Sequence, residues 1–191
     1  MRSLRRRTAA CLTAATIAAT TSPIAVGAAF ADDAVGTPTG TAQPQPPVAP
    51  PGPALLTPEQ VRHLKAQALR RRLVFVAKAK MRTGRYVYGA SGPSAFDCSG
   101  FTQWLYKVVA HRRLDHYTGA QMKQTHRISV RRLLPGDLLF FGPGGSQHVT
   151  MYIGRGRMIG ASNPSVGIRI DSINAPWYRP KLAGVGRVIM A

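Results

Sequence analysis

Acidic side chains are scarce. Seven Asp and Glu stand against 26 Lys and Arg in 191 residues, a formal net charge of +19. That imbalance excludes a chain that presents a negative surface, and it directs attention to anionic partners. Cysteine is scarcer, with Cys11 and Cys98 alone, too few for a disulfide-stapled small domain. No His, Cys, Asp and Glu fall at metal-ligand spacing, and no glycine loop of the phosphate-binding kind is present. The expectation is therefore chemistry without metal or cofactor. No apolar run spans a bilayer uninterrupted: the one candidate, ahead of Ala31, is broken by Thr13, Thr16, Thr20, Thr21, Ser22 and Pro23.

The basic start Met1–Arg7, the Ala/Thr-rich run and the small-x-small end Ala29-Phe30-Ala31 have the order of a secretory signal peptide over residues 1–31. Cleavage after Ala31 would remove Cys11 and four arginines, leaving 22 basic residues against seven acidic ones, or +15. An exported chain of that charge, extracytoplasmic or secreted, is expected to meet an anionic bacterial wall or membrane surface. Anionic cell-wall polymers are then candidate partners, and nucleic acid is disfavoured. Cys98 would be the solitary cysteine, either buried and inert or a free reactive thiol.

Residues 32–56 are rich in Pro, Gly and Thr, with too little apolar mass to fold, and read as a disordered spacer. Residues 57–83 read as a helical segment, one helix or two meeting near Arg70-Arg71-Arg72. Thr57 is its N-cap, Pro58 its first residue, and Gln60 completes a capping box. The arginine run is expected to be a solvated face, and Thr57–Arg72 is a candidate cover for a cleft. Residues 84–191 read as one compact domain. In it a helix over Thr102–Val109 precedes a polar connection, Leu114–Val130. Five short strands follow, at Leu138–Phe141, Val149–Ile153, Arg157–Ala161, Gly167–Asp171 and Gly184–Ile189. Such spacing predicts an antiparallel sheet with its helices segregated earlier in the chain, an α+β arrangement.

The stretch Phe96-Asp97-Cys98-Ser99-Gly100-Phe101 puts Cys98 where a loop runs into a helix, and unpaired N–H groups and the helix dipole there favour thiolate. A thiol nucleophile needs a base, and histidine suits that work. Of His63, His111, His116, His126 and His148, the last is best placed, at the head of an alternating strand directly after a glycine-rich turn.

Four motifs in order carry a resemblance: Tyr86-x-Tyr88-Gly89, Phe96–Phe101, Leu134-Pro135-Gly136-Asp137-Leu138, and His148-Val149-x-x-Tyr152-x-Gly154. Over roughly Leu73–Ala191 the chain resembles the NlpC-type bacterial cell-wall cysteine peptidases, especially the secreted actinobacterial members. The resemblance implies a papain-like α+β fold, with the nucleophile at a helix N-terminus packed on an antiparallel sheet of about five strands. It implies cleavage of peptidoglycan stem peptides, typically between D-glutamate and the following diamino acid, through a thioester. It makes Cys98 the nucleophile and His148 the base, with Tyr86 polarising the scissile carbonyl and Asp97 and Ser99 contacting substrate. The family's polar third residue falls near Gly160, and glycine cannot orient an imidazole; a water, a backbone carbonyl, Ser162 or Asn163 are the substitutes the sequence offers. Two alternatives remain beside hydrolysis. One is a weak or inactive wall-binding module, and the other an amidase or acyltransferase on a different substrate.

Overall fold

The computed structural model describes residues 55–190. The expected signal peptide and residues 32–54 of the spacer lie outside the described residues. Helix α1, Pro58–Lys80, is one continuous helix through the three arginines. Its start is a closed capping box: the Thr57 hydroxyl accepts from Gln60 N at 3.2 Å, and Thr57 N donates to Gln60 Oε1 at 2.8 Å. Its buried residues are Ala66, Arg70, Leu73 and Ala77, spaced at one face of a helix.

Arg70 corrects the expectation of a wholly solvated basic run. It is 8 % exposed and pairs at 3.1 Å with Asp137, which is fully buried. Helical periodicity puts Arg70 in line with Ala66 and Leu73, and the Asp137 carboxylate makes that position favourable for a charge. Arg187 completes the triad, with Nε 3.0 Å from Oδ1 and Nη2 2.7 Å from Oδ2 of Asp137. Leu134 N donates to the same carboxylate at 2.7 Å. The Leu134–Leu138 motif is therefore an anchor, fastening α1 and the C-terminal strand to the turn that opens the sheet.

Two-residue strands β1 (Arg85–Tyr86) and β2 (Ala95–Phe96) pair in parallel just ahead of helix α2, Cys98–Ala110. Helix α3, Thr118–Gln124, and strand β3, His126–Ile128, occupy what the sequence predicts to be polar connection. Strands β4 (Leu138–Phe141), β5 (His148–Gly154), β6 (Arg157–Asn163), β7 (Gly167–Ser172) and β8 (Leu182–Arg187) follow. All six strands β3–β8 form one antiparallel sheet in the order β3-β8-β4-β5-β6-β7. The sixth strand is β3, a short polar edge strand whose backbone pairing with β8 is invisible to any hydrophobic pattern. The architecture is α+β and papain-like.

Alternation along β4 explains the layers. Leu138 and Phe140 turn toward the helices, joining Leu73, Phe101, Leu105 and Met151. Leu139 and Phe141 turn to the other face, with Met158, Tyr178 and Val185. Each such side chain, fully buried, contributes roughly 1.5–3 kcal/mol. On β5, Val149 and Met151 face the helices. His148 therefore starts the strand on the opposite face, against Phe141 and Tyr178. Among the described residues no helix is long and apolar enough to cross a membrane.

Candidate active site

Cys98 is the first residue of α2, half-buried and free. Asp97 is the N-cap, and its carboxylate is surrounded by donors. Gly100 N donates at 2.7 Å, the Ser99 hydroxyl at 3.0 Å and Gly89 N at 2.9 Å, with His116 Nε2 2.9 Å from both oxygens. Burial alone would raise the Asp97 carboxyl, but the Gly100 N–H, His116 and Ser99 outweigh it and hold the group below its ordinary value. Asp97 and Ser99, implied by the resemblance as substrate contacts, are both buried, and neither lines the cavity that holds the thiol. In this geometry they form a brace under Cys98.

Gly100 makes that brace possible. A Cβ there would lie 2.1 Å from the Ala90 carbonyl oxygen and 2.8 Å from His116 Nε2. No side chain can intervene where the β1–β2 loop closes on the helix start. His116, one of five histidines in the sequence, thus braces Cys98 through Asp97. The signal that could have found it is chemical: a buried N-cap carboxylate needs a cationic or donor partner. Gln121 on α3 ties the same region together, donating to Ser99 O at 2.8 Å and Asp115 O at 2.7 Å and accepting from Thr102 at 2.7 Å. Thr118, at the start of α3, brings its hydroxyl within 3.8 Å of Cys98 Sγ.

The remaining histidines are elsewhere. His63 faces Glu59 at 4.0 Å, His111 is the left-handed C-cap of α2, and His126 is exposed on β3. His148 alone shares a cavity with the thiol, about 510 Å³ in volume. Tyr86 lines it beside Cys98, and burial together with the neighbouring Cys98 and Asp97 raises the Tyr86 phenol, keeping it a protonated donor. Gln147, Ser162, Asn163 and Arg169 give the opposite wall polar groups, and Trp177 and Tyr178 close it. No residue of α1 lines this cavity, so Thr57–Arg72 does not cover it. A second cavity of about 560 Å³, between α1 and the C-terminal strand, holds no nucleophile, and its Arg70 and Arg187 are committed to Asp137.

His148 is 8 % exposed, and its Nε2 is buried without a hydrogen-bond partner. Nδ1 is then the nitrogen left for the cavity. Burial pushes the imidazole down to about 4, opposed by the charge of Asp171, so the ring is neutral at neutral pH. Neither Ser162 nor Asn163 reaches Nε2. Gly160 sits on β6 opposite Arg169, and a Cβ at 160 would lie 2.9 Å from the Thr150 methyl. Thr150 is itself fixed, donating to Met158 Sδ at 3.1 Å. The third position is therefore filled from the neighbouring strand by a methyl group.

Residues 83–187 match the NlpC/P60 family over more than half the chain. The chain belongs to the NlpC/P60 family. It is 40 % identical over 115 residues to a protein of Listeria monocytogenes named probable endopeptidase p60, a match covering 59 % of this chain and 23 % of that one. The chain thus spans about a quarter of the length of such NlpC/P60 relatives. Among solved structures, the NlpC/P60 domain of the peptidoglycan hydrolase SagA is 34 % identical with a TM-score of 0.56, covering 62 % of this chain and 98 % of that domain. The peptidoglycan hydrolase RipB of Mycobacterium tuberculosis is 26 % identical with a TM-score of 0.59, covering 73 % of this chain and 76 % of that one. Among the described residues no group of three His, Cys, Asp or Glu stands close enough to hold a metal.

Proposed function

We propose that this chain is a secreted peptidoglycan hydrolase, a cysteine endopeptidase that cleaves stem peptides at the D-glutamyl–diamino acid bond. The observation that carries the reading is that Cys98, at the first turn of α2, shares one cavity with a neutral, buried His148 and a protonated Tyr86. The names of the relatives, endopeptidase p60 and peptidoglycan hydrolase among them, support the substrate class.

In the proposed reaction Cys98 Sγ attacks the scissile carbonyl carbon while His148 Nδ1 takes the thiol proton. The oxyanion accepts from N–H groups at the start of α2 and from the Tyr86 hydroxyl. The imidazolium returns its proton to the leaving amine, and the carbon–nitrogen bond breaks to give a thioester. Water then attacks the thioester with His148 as base, releasing the carboxylate and restoring the thiol. A neutral imidazole is the form this sequence requires of its base, and burial secures it over the physiological range.

Incubating the full chain with muropeptides and identifying the products by mass spectrometry tests the reading. New amino termini at the diamino acid are expected from wild type and none from Cys98→Ala. Equal cleavage by both proteins would sink it, and products of another bond or an acyl transfer would move the reaction to an amidase or transferase.

A binding module of little activity is favoured by a specific observation of its own. The described residues carry 22 Lys and Arg and five Asp and Glu, and Asp97, Asp137 and Asp171 are consumed by internal pairs. The outer surface is thus almost purely cationic. That reading predicts retention on wall sacculi that weakens as salt rises, without turnover.

A further inference from the structure

The imidazole of His148 has no polar neighbour at position 160, but it is not loosely held. Three rings enclose it. Phe141 lies 6.2 Å away, Trp177 stands edge-on at 6.3 Å, and Tyr178 is stacked at 6.0 Å with 28° between the planes. Phe141 is fixed by the sheet, and Trp177 has Lys181 over its ring at 3.9 Å. Tyr178 differs from both in having a polar anchor within the fold. Its hydroxyl donates to Asp171 Oδ2 at 3.2 Å, and Asp171 is in turn paired with Arg169 on the same strand.

We propose that Tyr178 is the positioning residue of His148: its ring holds the imidazole plane, and its Asp171-anchored hydroxyl holds the ring, in place of a polar side chain at position 160. The inference rests on the reading of Cys98 and His148 as nucleophile and base. Its physical logic differs from that of a polar orienter. A hydrogen-bonding third residue selects one tautomer, whereas a stacked ring fixes the plane and leaves the proton free to sit on either nitrogen. The two nitrogens are thus restrained in place while the tautomer is set by the cavity.

The charged and titratable groups that share the cavity with this imidazole are Cys98 from α2, Tyr86 from β1, Arg169 from β7 and Tyr178, and the charge of Asp171 on β7 acts on it as well. Lys181 stands beyond Trp177. Asp171 is the carboxylate among them, and its charge favours the imidazolium against the effect of burial. Tyr178 holds that carboxylate as well as the ring, so its removal is felt twice.

The test follows two signals in the full chain across pH: alkylation of Cys98 by iodoacetamide, and muropeptide cleavage. Tyr178→Ala is expected to lower kcat about 30-fold with KM within about twofold, because displacing a catalytic group by about 1 Å costs up to about 100-fold. Tyr178→Phe keeps the ring and restores most of that loss, leaving a deficit of about threefold. Asp171→Asn moves the acid limb of the alkylation profile to lower pH. Wild-type kcat and an unshifted profile in Tyr178→Ala, or a loss confined to KM, would overturn the proposal. Where Tyr178→Ala fails to fold, wild-type rates and profiles in both Tyr178→Phe and Asp171→Asn would overturn it equally. The two readings fail separately: if wild type cleaves nothing while Cys98 alkylation still depends on Tyr178, the proposed reaction falls and the positioning role stands.

Discussion

The two halves of the proposed catalytic pair, Cys98 and His148, are held by opposite means. Around Cys98, which packs against the apolar core, the hydrogen-bonding supports are a carboxylate cap, two backbone donors, a serine, a histidine and a buried glutamine. Around His148 the near neighbours are the rings of Phe141, Trp177 and Tyr178, and one ring nitrogen is left without a partner. A polar brace fixes a position through direction and charge, and each bond lost exposes a buried group. An apolar cage fixes a position through shape, and it shifts the group's titration as a side effect. Cys98 is thus placed by bonds, and His148 is placed and neutralised by burial.

Breaking the polar brace is expected to have the largest effect. Asp97→Ala removes the cap of α2 and leaves His116, Ser99 and Gly89 N without their acceptor, at a cost of about 3 kcal/mol measured by denaturant unfolding. Cys98 alkylation should slow in the same variant, because the helix start frays.

The cage is probed by pH. The unfolded imidazole titrates near its ordinary 6.5 and the folded one at about 4. Between these values the unfolded chain binds more protons, so stability is complete above about pH 6.5 and falls as pH drops toward 4. By pH 5 the loss should be about 2 kcal/mol, and His148→Gln should flatten the slope over that window. Asp97, whose carboxyl is lowered, contributes in the same direction at more acid pH, below its ordinary value of 3.8.

Converting the cage toward a polar support sharpens the contrast. Gly160→His alone drives its Cβ to 2.9 Å from a methyl fixed on β5, and is expected to cost about 2 kcal/mol without improving kcat. With Thr150→Ala beside it the methyl is gone, and kcat should rise about tenfold over Thr150→Ala alone. The smallest effect belongs to Ser99→Ala, which removes one neutral donor from the Asp97 carboxylate and should cost about 1 kcal/mol in stability.

The same contrast explains what was legible in the sequence. Cys98 at a helix start, His148 at a strand head and the strands of β4 to β7 all follow from local patterns: an apolar alternation, a turn, a cap residue. Gly160 as a missing polar group was legible too, because it is a departure within a motif. Helix α3 was not, since Thr118 and Gln121 are its buried residues and hydrogen bonds hold it in place of an apolar stripe. Strand β3 is three residues of edge pairing with β8. The burial of Arg70 depended on Asp137, 67 residues along the chain. Tyr178 over His148 is a contact between a loop and a strand head thirty residues apart, and nothing in either stretch announces the other. Long-range polar pairs and ring stacks leave no periodic trace, so only the assembled fold reveals them.

The central claim is that Cys98 carries the acyl group with His148 as its base. It is tested most directly by quenching the full chain in acid during a single turnover with muropeptide and weighing the Cys98 peptide. The account predicts a thioester adduct of the acyl fragment's mass on Cys98, absent in Cys98→Ala and slow to form in His148→Ala. Cleavage that proceeds with no adduct, and at the same rate in Cys98→Ala, would contradict it.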